Sequence, residues 1–248
     1  MAEETQTSTN HTRARFDDTH WSEILTAANQ RSPKTQHELE QLCKTYWPPL
    51  YAFIRRRGYS PADAQDLTQG FFSDLLVRNG LQMVQPARGR FRTFLLACLE
   101  NFLNNERDKS QAEKRGGKIS FIFIDELVAE ERYRLLPANV TDPAKILDRV
   151  WANTVIEQIL QQLKAQHALN GKAAGFAALQ PFLTGDAARG DYAAVAARLQ
   201  MTEVAARKAA HDLRAEFRQL LVREIRRTVD NSAGIEPEIR ELFQLFAG

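Results

Sequence analysis

The sequence is poor in the features that announce covalent scaffolds, membrane spans or catalysis. It has two cysteines, Cys43 and Cys98, in 248 residues. Both fall inside apolar-periodic segments, which leaves no support for a disulfide framework or a CxxC metal knuckle and predicts buried free thiols. No run of about 20 apolar residues is present to span a bilayer, and residues 1–10 are polar, unlike a secretory signal. The expectation is a cytoplasmic protein without membrane insertion. Five histidines, His11, His20, His37, His167 and His211, show no metal-ligand spacing. No GxSxG occurs, and Asn170-Gly171-Lys172 lacks the glycine-rich loop of a phosphate cradle. The adjacent acids Asp17-Asp18 and Glu130-Glu131 would diverge on a helix. Neither an enzyme nor a bound cofactor or metal is therefore expected. Charge of one sign is missing too. The 33 Lys+Arg against 31 Asp+Glu leave +2, so uniform charge is not the means of binding.

What the chain does have is helical periodicity. Its 44% hydrophobic residues suffice for a packed core. Trp21, Ile24, Leu25 and Ala28 follow the spacing of an amphipathic helix, and Leu39, Leu42, Cys43 and Tyr46 repeat it. Pro48-Pro49 then predicts an interruption, after which Leu50, Phe53 and Ile54 continue the stripe to Arg55-Arg56-Arg57-Gly58, a helix end. Ser60-Pro61-Ala62-Asp63 is a helix start, with a hydroxyl cap, proline first and an acid third. Ala64, Leu67, Phe71 and Leu75 form the buried side of that helix, while Asp63, Asp66, Gln69 and Asp74 point largely elsewhere. A further helix turns Leu95, Cys98, Leu99 and Phe102 inward and carries Asn101, Asn104, Asn105 and Asp108 on its other side.

A second helical series begins after Thr141-Asp142-Pro143, where Ile146, Val150, Val155, Ile159 and Leu163 keep a helical period. Nothing beyond the short apolar run 119–124 alternates at period two, so the fold class is all-α, with two helical domains. The boundaries follow from composition: a polar, disordered tail over 1–18, a first domain over 19–118, and a linker with at most one short element over 119–141. A second domain over 142–230 and a C-terminal helical extension over 231–248 complete the chain.

Two segments carry binding chemistry. From Asp191 to Leu221, a short helix with Val195 and Ala196 inward is followed by a turn at Gln200-Met201. A longer helix capped by Thr202 then places Ala206, Ala210, Leu213, Phe217 and Leu220 inward. This is helix-turn-helix spacing, and it leaves Glu203, Val204, Arg207, Lys208 and His211 outside, where arginine and lysine can donate to guanine or phosphate. An ordinary helical pair with a solvated basic face has the same pattern. The second segment is Arg88 to Phe94, where Arg90 and Arg92 flank Phe91, with Asn101 and Asn104 further on. Interleaved aromatics, cations and amides suit unstacked bases. Buried Phe91 and Phe94 beside a solvated charge run is the competing reading.

These residues resemble a known family. Tyr46-Trp47-Pro48-Pro49-Leu50-Tyr51-Ala52-Phe53-Ile54-Arg55-Arg56-Arg57-Gly58, followed by Asp63-Ala64-Gln65-Asp66-Leu67-Thr68-Gln69, resembles the start of region two of extracytoplasmic-function (ECF) bacterial RNA polymerase sigma factors. Arg90-Phe91-Arg92-Thr93-Phe94-Leu95 through Lys109 is similar to the rest of that region, and Asp191 to Leu221 to the helix-turn-helix of region four. The resemblance covers residues 44–118 and 142–225. It implies a non-catalytic subunit that joins core RNA polymerase, through the β′ clamp and the β flap, and directs promoter recognition and melting.

By the same resemblance, Asp63, Asp66 and Gln69 face the β′ clamp. Arg90, Phe91, Arg92, Asn101 and Asn104 hold single-stranded promoter DNA, and Thr202, Glu203, Arg207, Lys208 and His211 read the upstream element. An anti-sigma regulator is a further expected partner. Three positions depart from the family pattern: Gly70 where glutamate is common, Gln200 where the turn usually has glycine, and Asp212 where many relatives are basic. A homodimeric helix-turn-helix regulator of duplex DNA, and a helical adaptor that does not bind DNA, are the alternatives.

Overall fold

The computed structural model describes residues 33–77, 90–112, 126–134, 136, 142–184, 192–229 and 232–246. The helix expected around Trp21 to Ala28, the tail before it and the apolar run 119–124 lie outside these residues. Among the described residues the structure is helical, with no strand. In chain order the helices are α1 (Pro33–Arg56), α2 (Pro61–Val77), α3 (Phe91–Ala112), α4 (Glu126–Arg134), α5 (Pro143–Leu169), α6 (Ala173–Leu179), α7 (Pro181–Thr184), α8 (Tyr192–Arg198), α9 (Glu203–Arg226) and α10 (Ile235–Gln244).

Helix α1 corrects one expectation. Pro48 and Pro49 lie within it and do not interrupt it. Each proline withdraws a backbone donor, a defect of about 3 kcal/mol in a helix interior. The offset is burial: Tyr46, Trp47, Leu50, Tyr51, Phe53 and Ile54 are all in the core. At about 1.5–3 kcal/mol for each fully buried large side chain, that stripe outweighs two lost hydrogen bonds. Next to the prolines, the Thr45 hydroxyl lies 3.0 Å from both the Gln41 carbonyl and Gln158 Oε1 of α5, which ties the weak point to a neighbour.

The start of α2 forms as the sequence predicts. Ser60 Oγ accepts from the Asp63 N–H at 3.1 Å and donates to the Asp63 carboxylate at 2.6 Å, a side-chain N-cap with Pro61 as first helical residue. Helix α5 begins the same way, with Asp142 Oδ1 accepting from the Ala144 N–H at 2.9 Å and Pro143 next in line. A Cβ on Gly70 would come within 3.3 Å of the Phe102 ring, so the glycine lets α2 pack closely on α3.

The two helical series share one core. A single cluster of buried side chains runs from Leu42 to Leu242 and includes residues of both. Its largest fully buried member is Trp151 of α5, and α1 packs along α5 as its main partner. Helix α4, inside the expected linker, is pinned to α1. Glu130 accepts from Tyr51 Oη at 2.6 Å and from Arg55 at 3.0 and 3.1 Å, and from Arg134 at 3.2 Å. The Arg55 guanidinium, more than the other donors, holds the Glu130 carboxyl down at about 2. The two cysteines are buried thiols, as expected. Burial pushes Cys43 up to about 12 and Cys98 up to about 11, so neither is a reactive thiolate at neutral pH.

Candidate nucleic-acid interface

Helices α8 and α9 form a helix-turn-helix pair built on small residues. Val195 and Ala196 of α8 and Ala206 and Ala210 of α9 are buried, so the helices approach without large side chains between them. Helix α6 packs on both, as a third member. The turn closes α8 with two bonds: the Gln200 N–H reaches the Ala197 carbonyl at 3.3 Å, and the Met201 N–H reaches Ala196 at 3.0 Å. That pattern needs a left-handed residue, and Gln200 takes it at φ +52°. The same pattern ends α5, where Lys172 bonds His167 and Gly171 bonds Ala168, and there the left-handed residue is a glycine at φ +69°.

Gln200 thus occupies a glycine position. Gln200→Gly is expected to raise stability by about 0.5–1 kcal/mol, less than the full left-handed strain because glycine also loosens the unfolded chain. A urea midpoint for the variant at or below that of the parent would refute this. Thr202 then starts α9, its Oγ1 accepting from the Ala205 N–H at 3.2 Å.

The outward face of α9 carries the five residues expected to read the upstream element: Thr202, Glu203, Arg207, Lys208 and His211 are all exposed. Val204 beside them is 77% exposed. Charge on this face is balanced locally. Glu203 accepts from Arg207, Lys208 bonds Asp212 at 2.9 Å, and His211 stands 3.5 Å from Asp212. The Lys208 ammonium, with His211, holds the Asp212 carboxyl below its usual range. Arg207 lies 4.9 Å over the Tyr192 ring, which anchors it at the α8–α9 junction. Such i,i+4 pairs are weak in water, so phosphates can compete for these cations.

On α2, Asp63 and Asp66 are exposed, while Gln69 is half-buried and engaged. Asn101 and Asn104 of α3 face solvent. Of the residues expected with them, Phe91 and Arg92 are buried and Arg90 is partly exposed. Phe91 is 1% exposed, edge-on to Tyr46 at 5.0 Å, and its N–H donates to the Thr228 carbonyl at 3.0 Å. Arg92 is 3% exposed, lies 4.6 Å over Trp151 and pairs with Asp148 at 2.6 Å and with Glu238. Arg90 pairs with Glu238 at 2.7 Å and with Glu241. In this arrangement Phe91 is a core aromatic rather than a stacking platform, and both arginines are taken by carboxylates.

Asn104 instead shares a cleft of about 260 Å³ with Arg57, Tyr59 and Arg107. Arg57 reaches it from the end of α1 and pairs there with Glu100 at 2.5 Å. The sequence marks Arg57 only as a helix end and gives no sign of Tyr59, because the cleft is created by the approach of the Gly58 turn to α3. Among the described residues no group of three or more His, Cys, Asp or Glu is placed to hold a metal ion, and no helix is long and apolar enough to cross a membrane. No family model, no curated protein and no solved structure matches the chain.

Proposed function

We propose that the chain is a promoter-recognition subunit that joins core RNA polymerase in the manner of ECF sigma factors. The observation that carries the reading is the α8–α9 pair: a left-handed turn, a threonine cap and alanine packing hold Arg207, Lys208 and His211 on one exposed face. A helix so presented can enter a major groove, with phosphate contacts fixing its position and one or two side chains reading bases. Asp63 and Asp66 supply an exposed acidic edge for a basic polymerase surface. Asn101 and Asn104, with the Arg57–Arg107 cleft beside them, offer amides and cations to single-stranded DNA. The factor itself consumes no nucleotide.

Reconstitution with core polymerase tests this. A stable complex that transcribes from promoter fragments is expected, with Asp66→Arg weakening association at least about tenfold, because a cation then faces a basic partner. Within the complex, Arg207→Ala should relax selection at one base position by about 1–3 kcal/mol. No complex with core, together with tight binding of a palindromic duplex by the protein alone, would favour a homodimeric helix-turn-helix regulator and sink this reading.

A further inference from the structure

The acidic side of α10 is set against the basic start of α3. Glu238 and Glu241 lie one turn apart on α10, and together they contact Arg90 and Arg92. Asp148 of α5 completes the cluster. Glu238 is 1% exposed, so it is held in the interior by these guanidinium groups. Helix α10 itself packs on α9 and buries Ile235, Ile239 and Leu242. The attachment of α10 to α9 is therefore largely apolar, whereas its attachment to α3 is ionic.

That difference decides which contact can part. Separating an apolar face exposes it to water at full cost, but separating carboxylates from arginines returns both to hydration and recovers much of what their burial cost. A carboxylate offers a guanidinium two acceptor oxygens, as a phosphate does, so the two compete for the same donors. The residues so covered, Arg90 and Arg92, belong to the stretch that resembles the promoter-opening segment.

We propose that α10 is an intramolecular acidic lock. Glu238 and Glu241 occupy the arginines that would otherwise take up nucleic-acid phosphates, and single-stranded DNA gains this face only when those carboxylates are displaced. The lock rests on the promoter-binding reading above and adds its regulation: the free protein is closed, and a partner that draws the carboxylates away opens it.

The test uses the full-length protein and a fluorescein-labelled oligothymidine strand, read by anisotropy, together with hydrogen exchange at the amides of residues 91–95. The double variant Glu238→Gln, Glu241→Gln is expected to bind the strand about tenfold more tightly, because more of the population is open. Exchange at Phe91, whose amide is bonded to Thr228 in the closed form, should quicken. Glu241 is only partly buried, so the single Glu241→Gln variant keeps the fold if the double variant does not, and a gain of about threefold is expected from it. Unchanged affinity and exchange in the single variant would overturn the lock. Faster exchange with no gain in affinity would overturn it as well, since the exposed arginines would then not take DNA. The polymerase reading fails separately. Variants that gain affinity for the strand but form no complex with core uphold the lock and reject the sigma assignment, whereas a transcribing complex with unchanged strand binding does the reverse.

Discussion

Arg92→Met will cost about 3–5 kcal/mol of unfolding free energy at neutral pH, read as a fall in urea midpoint. The loss does not come from packing, because methionine can still cover part of the Trp151 face that the guanidinium now covers at 4.6 Å. It comes from Glu238, which is 1% exposed and is left with Arg90 as its remaining cation. A buried carboxylate short of its partners must take up a proton or draw in water. The cause can be isolated by a second substitution. Adding Glu238→Leu to Arg92→Met removes the orphaned charge and should return most of the loss, since well-packed apolar replacements of buried pairs are often close to neutral. A loss below about 1 kcal/mol for Arg92→Met would mean that water reaches the cluster.

Glu130→Ala is expected to cost about 2–3 kcal/mol at neutral pH. It strands Arg55, which is largely buried, and frees the Tyr51 hydroxyl and α4 together. The pH dependence identifies the cause. Glu130 is held at about 2 in the folded protein against an ordinary value of 4.5. A lowered folded value means that its contribution is complete above the unfolded value and is lost as pH falls through the folded one. The parent should therefore lose stability progressively from about pH 4.5 down to about 2, and the gap between parent and variant should close over the same interval. A gap that stays constant across that interval would assign the loss to packing.

Much of this architecture was legible in the sequence because the signals are local. The cap at Ser60, the start at Asp142-Pro143 and the apolar stripe of α5 each depend on residues within a turn or two, and each formed as expected. The inward set of α9, from Ala206 to Leu220, is likewise buried. Local reasoning failed where distant chain decides the outcome. Proline chemistry alone predicts a break at Pro48, yet the packing of α1 along α5 holds one helix through it. The pattern of Arg90, Phe91 and Arg92 is as good for a nucleic-acid face as for a core edge, and the choice rests on Glu238 and Glu241, some 150 residues later, which form ion pairs with Arg90 and Arg92. In the C-terminal extension, Phe243 of α10 and Phe246 just beyond it are about half exposed, whereas Ile235, Ile239 and Leu242 are buried. The helix is short enough for Ile235, Ile239 and Leu242 to fill the available groove.

The shared core has a consequence for synthesis. Trp151 is fully buried, and the helix that carries it is the main partner of α1, more than a hundred residues upstream. While a ribosome is still making the middle of the chain, the apolar stripe of α1 has no α5 to close over it, so the first helices emerge as an incomplete, sticky layer. Contacts this far apart in sequence favour late, all-or-none closure over stepwise maturation of two separate halves. A nascent chain stalled before residue 143 should accordingly depend on chaperones and be degraded quickly, whereas one stalled beyond residue 170 has the core partner in hand.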